Sequence, residues 1–339
     1  MVASSTTVGG IGEHALLARI LARLPRPSPT VIVGPGDDAA VLAPVRNERL
    51  VVTTDAVVEG VHFSRAFSAP SDIGHRALAV SLSDLAAMGA APRWALLSLV
   101  LPDSWPVTDV EALVDGVAAL ARRHAVSVVG GNIARTDGSL VVDVTAGGGA
   151  GPRKWLTRAG ARAGDEIWVS GAIGGAAAGL EMLRESHRAI GHHDECVSRY
   201  RRPEPRVRLG VAMARARAAR AAMDLSDGLA DALKQVALAS GVGLRVDAEA
   251  LPIDAGARAW WESRGVDAAV AAVAGGDDYE LLFAVPAKGG RALRAVSRRA
   301  AEPRLTRIGV FTNDPSQQVM VRAGKEEPIP AGYEHFART

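Results

Sequence analysis

Residues 51–63 read VVTTDAVVEGVHF. A β-branched run closing on Thr53, Thr54 and Asp55 reads as a buried strand that carries oxygen ligands to its end. In α/β proteins that is where phosphate and metal chemistry sits. Immediately upstream, residues 34–41 read GPGDDAAV, so Asp37 and Asp38 lie one turn and one short strand before Asp55. Three carboxylates converging on one point repel one another, and a divalent cation relieves the repulsion.

Outward from this stretch, the pattern alternates strand and helix on both sides. Residues 12–23 carry Leu16, Leu17, Ile20 and Leu21 at helical spacing, which predicts an amphipathic helix. Short strands are expected at 31–33, 39–43 and 50–54, a helix over 70–88 holding Asp84, a strand at 94–101 and a helix over 107–124. A strand at 126–129 is expected to stop at Gly130, Gly131 and Asn132, with another at 140–145. The glycine run 147–151 with Pro152 reads as a domain boundary. Beyond it the alternation resumes: strand 166–169, helices 175–184 and 205–220, then AAMDLSDGLADALK as strand, acidic turn and helix. Strands are expected near 243–246, 269–273, 279–285, 305–310 and 318–321, and residues 187–202, which hold Cys196, read as an irregular loop.

These elements give a mixed α/β chain with a loose N-terminus over 1–11 and domains over 12–150 and 151–339. A length of 339 residues agrees, being about two domains of ordinary size. Only four of the 39 basic residues are lysines, and the arginines are scattered without interleaved aromatics, so no nucleic-acid partner is expected. One cysteine, no leader-like N-terminus and an apolar window broken by Pro92 and Arg93 predict a cytoplasmic protein without a membrane partner.

The usual nucleotide loops, GxxxxGK[ST] and a clean GxGxxG, are absent from the sequence. Residues 170–180, SGAIGGAAAGL, open a helix whose N-terminus suits an anion, and close packing explains their small side chains equally well. What remains is a set of acids at turns: Asp37 and Asp38, Asp55, Asp84, Asp224 with Asp227, and Asp277 with Asp278. Singly, each also reads as a turn or cap residue. Together they suit magnesium, which takes oxygen ligands and bridges the phosphates of ATP. No Ser/His/Asp or Cys/His constellation stands out, and an acceptor that is itself a phosphate needs no strong base.

GPGDDAAVL, TTDAVVEGVHF, ALAVSLSDLAAMGA, VVGGN, LTRAGARAGD, RPEPRV, MDLSDGLADAL, AGGDDYELLF and GYEHF follow one another from residue 34 to residue 336. In that order they resemble the thiamine-monophosphate kinase family, within the aminoimidazole ribonucleotide synthetase-like superfamily. The resemblance implies a two-domain fold whose N-terminal sheet domain forms a homodimer, and transfer of phosphoryl from ATP to thiamine monophosphate. It further implies that Asp38, Thr53, Thr54, Asp55, Asp84, Asn132, Asp224 and Asp227 hold several Mg2+ ions, with Asp55, Asp84, Asp224 and Asp227 as the catalytic carboxylates. Gly131, Asn132, Arg158 and Ser226 are then the contacts to ATP, and His62, Asp277 and Tyr333 those to thiamine monophosphate. Two positions depart from the pattern: Asn132 stands where Asp is frequent, and Asp277 where Glu is usual. Selenophosphate synthetase chemistry requires a reactive Cys and lysine near the N-terminus, and the hydrogenase maturation factor a C-terminal Cys; this chain has neither. The remaining alternatives are an aminoimidazole ribonucleotide synthetase-type ligase and an inactive homologue that binds nucleotide or thiamine phosphates.

Overall fold

The computed structural model describes residues 6–186, 195–300 and 303–333. The chain divides into two compact units, residues 1–85 with 92–149 and residues 86–91 with 150–339.

In the first unit, α1 (Val8–Ile11) and α2 (Glu13–Arg23) precede an antiparallel pair, β1 (Val31–Val33) and β2 (Val41–Leu42). Next come β3 (Arg49–Val58), α3 (Pro70–Ala87), β4 (Ala91–Pro102), α4 (Val107–Arg123), β5 (Ser127–Thr136) and β6 (Val141–Ala150). The four long strands make one sheet in the order β3-β6-β4-β5, with β4 and β5 parallel. α3 is buried continuously from residue 72 to residue 83; most of that stretch is small or apolar, and Asp72, His75 and Arg76 are buried with it. α4 hides a single stripe, including Val110, Leu113, Val114, Val117 and Ala121.

Three expectations change here. Residues 6–11 are held: the Val8 N–H donates to Trp105 O at 2.8 Å and the Val107 N–H to Thr6 O at 2.9 Å. Residues 1–5 of the expected loose N-terminus lie outside the described residues. β5 runs straight through Gly130, Gly131 and Asn132, because pairing to β4 is made by backbone and tolerates glycine. Gly131 is required by that approach, since a Cβ there would lie 1.8 Å from Leu97 O. The strand expected at 140–145 continues into the boundary glycines: Gly147 belongs to β6, where the Trp94 ring lies against it, and the division between the units falls within the run, after residue 149.

The second unit contains β7 (Glu166–Ser170), α5 (Gly175–Ser186), α6 (Glu195–Arg201), α7 (Val207–Ala216), β8 (Ala221–Asp224), α8 (Leu229–Ser240) and β9 (Gly243–Asp247). It continues with α9 (Ala255–Glu262), α10 (Ala268–Ala274), β10 (Leu281–Val285), α11 (Gly290–Ala300), β11 (Leu305–Thr312), β12 (Gln318–Arg322) and β13 (Lys325–Pro328). Its seven-stranded sheet runs β13-β12-β9-β11-β7-β10-β8. β12 and β9 are parallel and the other pairings antiparallel, so the sheet is mixed. The segment 86–91 belongs to this unit because its small residues pack on α7: Gly210 lies against Ala86 O, and Leu156 N–H donates to Met88 O at 3.0 Å.

The strand expected at 269–273 is a helix, α10. A short apolar run is ambiguous by periodicity; here Asp267 accepts from the N–H groups of Ala269 and Val270. Such a cap is worth ~1 kcal/mol, and alanine favours helix. Of the loop expected over 187–202, residues 195–201 form α6, while 187–194 lie outside the described residues. Among the described residues no helix is long and apolar enough to cross a membrane.

Candidate active site

Alternation along β3 divides its ligand-bearing residues between two faces. Thr53 donates a short hydrogen bond to Asp84 Oδ2 of α3, and Asp55, on the same face, meets Ser81 of α3. Thr54 points the other way, its hydroxyl 3.0 Å from Thr145 of β6. The structure therefore brings together Thr53, Asp55 and Asp84 and leaves the Thr54 hydroxyl out. Burial, then the nearby Asp84 charge, push the Asp55 carboxyl up to about 6; Asp143 adds to this and the Ser81 hydrogen bond opposes it. Asp55 Oδ2 is buried with no hydrogen-bond partner. Asp143 was not singled out from the sequence, although an acid inside the apolar run VVDVT was its signal.

A groove of about 380 Å³ opens beside α2. Leu17, Ile20, Leu21 and Leu24 give it an apolar wall, and Asp37, Asp38, Gly131 and Asn132 a polar one. Its volume falls in the range of small-molecule sites. Asp37 and Asp38 are exposed in the loop before β2, where the Asp38 N–H donates to Asp37 Oδ1 at 3.0 Å. His62 follows β3 in a tight turn, and its Nδ1 accepts the Val58 N–H at 3.1 Å. In the neutral ring that leaves Nε2–H as the donor.

The expected convergence of Asp37, Asp38 and Asp55 is not seen: among the described residues no three His, Cys, Asp or Glu side chains form a metal-holding group. The residues nevertheless fit magnesium, which is held by one or two carboxylates together with water and substrate phosphate. Asp55 and Asp84 would supply that pair, the buried Asp55 Oδ2 offering a lone pair that no hydrogen bond occupies.

In the second unit, β8 ends on buried Asp224, and the turn that follows carries Ser226 and Asp227 into α8. The turn 275–279 lies against it: the Asp277 N–H donates to Ser226 O at 2.7 Å, the Tyr279 N–H to Leu225 O at 3.2 Å and the Leu225 N–H to Glu280 O at 2.8 Å. Asp224, Ser226, Asp227 and Asp277 are thus held on two mutually bonded turns. None of them caps α8, whose N-cap is Gly228. The Arg158 side chain is exposed, with its carbonyl accepting from Ser240 Oγ at 3.3 Å. Tyr333 is 51% exposed beside Gly332, which sits against Asp231 of α8. Glu334, His335 and Phe336 lie outside the described residues.

The glycine-rich entrance to α5 already holds a carboxyl group of the chain itself. Asp278 accepts from the Gly174 N–H at 2.6 Å and the Ala176 N–H at 3.2 Å. Burial pushes its carboxyl up to about 7, against the pull of Arg199 and those two donors. Glu280, fully buried, accepts from Ser170 Oγ at 2.6 Å and Arg206 Nε at 2.8 Å, with a second short bond to Arg206 and Arg199 at 3.3 Å. Arg206 of RPEPRV is therefore the counter-ion of Glu280 of GGDDYE, a link that spacing alone does not disclose.

Comparison with known proteins shows the family. Residues 36–150 match the family "AIR synthase related protein, N-terminal domain", and residues 162–322 the corresponding C-terminal domain. The thiamine-monophosphate kinase of Salmonella typhimurium is 36% identical over 96% of this chain and 98% of its own length. The crystal structure of thiamine-monophosphate kinase from Stenotrophomonas maltophilia superposes with a TM-score of 0.81 at 41% identity, covering 94% of this chain and 98% of that one. AaThiL complexed with AMPPCP and TMP has a TM-score of 0.75 at 30% identity, over 98% of this chain and 100% of that one. Likeness of this extent, carried through both halves in order, makes the chain a member of the thiamine-monophosphate kinase family.

Proposed function

We propose that the protein transfers the γ-phosphoryl group of ATP to thiamine monophosphate, giving thiamine diphosphate and ADP. The observation that carries this reading is the likeness, over 98% of the chain, to a protein solved with AMPPCP and TMP bound. The chemistry of the residues supports it. Asp38, Thr53, Asp55, Asp84, Asn132, Asp224 and Asp227 are the oxygen donors assigned to Mg2+, with Thr54 set aside because its hydroxyl faces Thr145. When bound, magnesium neutralises phosphate charge and orients the triphosphate.

Gly131, Asn132, Arg158 and Ser226 are assigned to ATP; Arg158 opposes phosphate charge, and the apolar wall of the groove beside Asn132 suits a planar base. His62, whose Nδ1 accepts the Val58 N–H, is assigned to the phosphate of thiamine monophosphate, and Asp277 and Tyr333 to its cationic part. The acceptor oxygen is already ionised, so positioning and charge neutralisation suffice without a protein nucleophile. Asn132 retains an oxygen ligand but removes one negative charge, which weakens metal binding at that position.

We further propose a homodimer working in the cytoplasm without nucleic acid or membrane. Leu50 and Val52, 69% and 52% exposed on the outer face of β3, support self-association. The function is tested by supplying ATP and MgCl2 with either thiamine monophosphate or formylglycinamidine ribonucleotide. Thiamine diphosphate is expected from the first and no turnover of the second; the reverse outcome identifies a ligase, and no reaction with either an inactive homologue.

A further inference from the structure

We infer that Tyr279 is a positioning residue for recognition of the substrate's cationic part, acting by fixing the carboxylate of Asp277. The inference rests on the assignment of Asp277 to thiamine monophosphate. The Tyr279 hydroxyl donates to Asp277 Oδ1 at 3.2 Å. Both residues lie in the left-handed backbone region, Asp277 at φ 68° and Tyr279 at φ 50°. For residues other than glycine such a backbone is strained and persists only where the surroundings enforce it.

Those surroundings are visible on both sides of the pair. The N–H groups of Asp277 and Tyr279 donate to Ser226 O and Leu225 O. Asp278 is locked into the N-terminus of α5, and Glu280 is held by Ser170 and Arg206. Two of four consecutive side chains thus anchor the turn inward. Asp277 is left part-exposed, while the Tyr279 ring is 6% exposed and reaches back to it. A turn with no task beyond reversing the chain is better served by glycine or asparagine at these backbone angles. Tyrosine adds an immobile hydroxyl.

The chemistry of the ligand explains why immobilisation matters. A thiazolium carries a delocalised charge on a nitrogen without an N–H, so it offers no hydrogen bond to orient a carboxylate. Recognition depends on the distance and direction of the negative charge. With one Asp277 oxygen fixed by the tyrosine, the other keeps a defined direction. Asp also tolerates the left-handed region better than residues with longer or branched side chains, which accounts for the shorter acid at this position. Its reduced reach makes the supporting hydroxyl more important.

The test uses full-length Tyr279→Phe, Asp277→Asn and the double variant. KM for thiamine monophosphate, KM for ATP, kcat and melting temperature are measured for each. Tyr279→Phe is expected to raise KM for thiamine monophosphate about 5–10-fold, leaving kcat and KM for ATP within about two-fold. The double variant is expected to match Asp277→Asn, because the hydroxyl acts only through the carboxylate. If Asp277→Asn raises that KM and Tyr279→Phe does not, the role of Tyr279 is refuted while the assignment of Asp277 stands. If neither variant changes it, the assignment of Asp277 itself falls. Loss of folding in Tyr279→Phe, or a parallel decline of kcat and both KM values, identifies a purely structural tyrosine and overturns the inference.

Discussion

Replacing Asp55 by Asn is expected to lower turnover at least about a hundred-fold while making the metal-free protein more stable near neutral pH. The two effects have one cause. The folded carboxyl titrates at about 6, raised first by burial and then by Asp84, whereas in the unfolded chain it titrates at about 3.9. As pH rises from about 4 through 6, the unfolded state gives up its proton before the folded state does, so stability falls across that window. Above it, an ionised carboxylate is held against a second acid, with one oxygen buried and unpartnered. Discounted for partial exposure, the penalty is on the order of 1–2 kcal/mol.

The amide removes that charge. Denaturation of wild type and variant without metal is expected to favour the variant near pH 7 and to converge near pH 4. Added MgCl2 stabilises the wild type by mass action and the variant much less. Unchanged activity in the variant removes Asp55 from the metal-binding residues.

Arg206→Ala is expected to be the most destabilising single change outside the hydrophobic core. It strips a fully buried glutamate of its bidentate partner, leaving Ser170 and the longer contact to Arg199. Removing one member of a buried pair costs about 3–5 kcal/mol, because the remaining charge stays desolvated. Arg206→Lys keeps a charge but loses the planar fork, and an intermediate loss is expected. Chemical denaturation at fixed pH measures both. A loss under about 1 kcal/mol for the alanine variant would show that Glu280 is held chiefly by other partners.

The strands and helices on either side of residues 51–63 were legible because a period of two and a period of 3.6 leave distinct marks in an apolar pattern. α10 was misread as strand because seven residues of Ala and Val fit either period, and the deciding agent, the Asp267 cap, is a single side chain. β5 was expected to stop at its glycines, yet they persist in the strand because Leu97 O presses on Gly131 from β4, a neighbour no local reading supplies. The acids of the site were legible as residues but not as partners. Thr53 and Thr54 are equivalent by type, and only the alternation of β3 against α3 and β6 sends one to Asp84 and the other to Thr145. Likewise the glycine-rich start of α5 suits an anion by sequence, but its N–H donors are already taken by the Asp278 carboxyl, about a hundred residues later. Long-range pairing is the information that composition and spacing do not carry.

Direct transfer between two phosphates, without a protein nucleophile, is the centre of the account. The measurement that tests it most directly follows the label of γ-labelled ATP in the presence of Mg2+ and thiamine monophosphate. The account predicts label in the terminal phosphate of thiamine diphosphate, one equivalent for each ADP formed, and none retained on the protein after quenching. Label recovered as inorganic phosphate with thiamine monophosphate unchanged, or bound covalently to the chain, would contradict it.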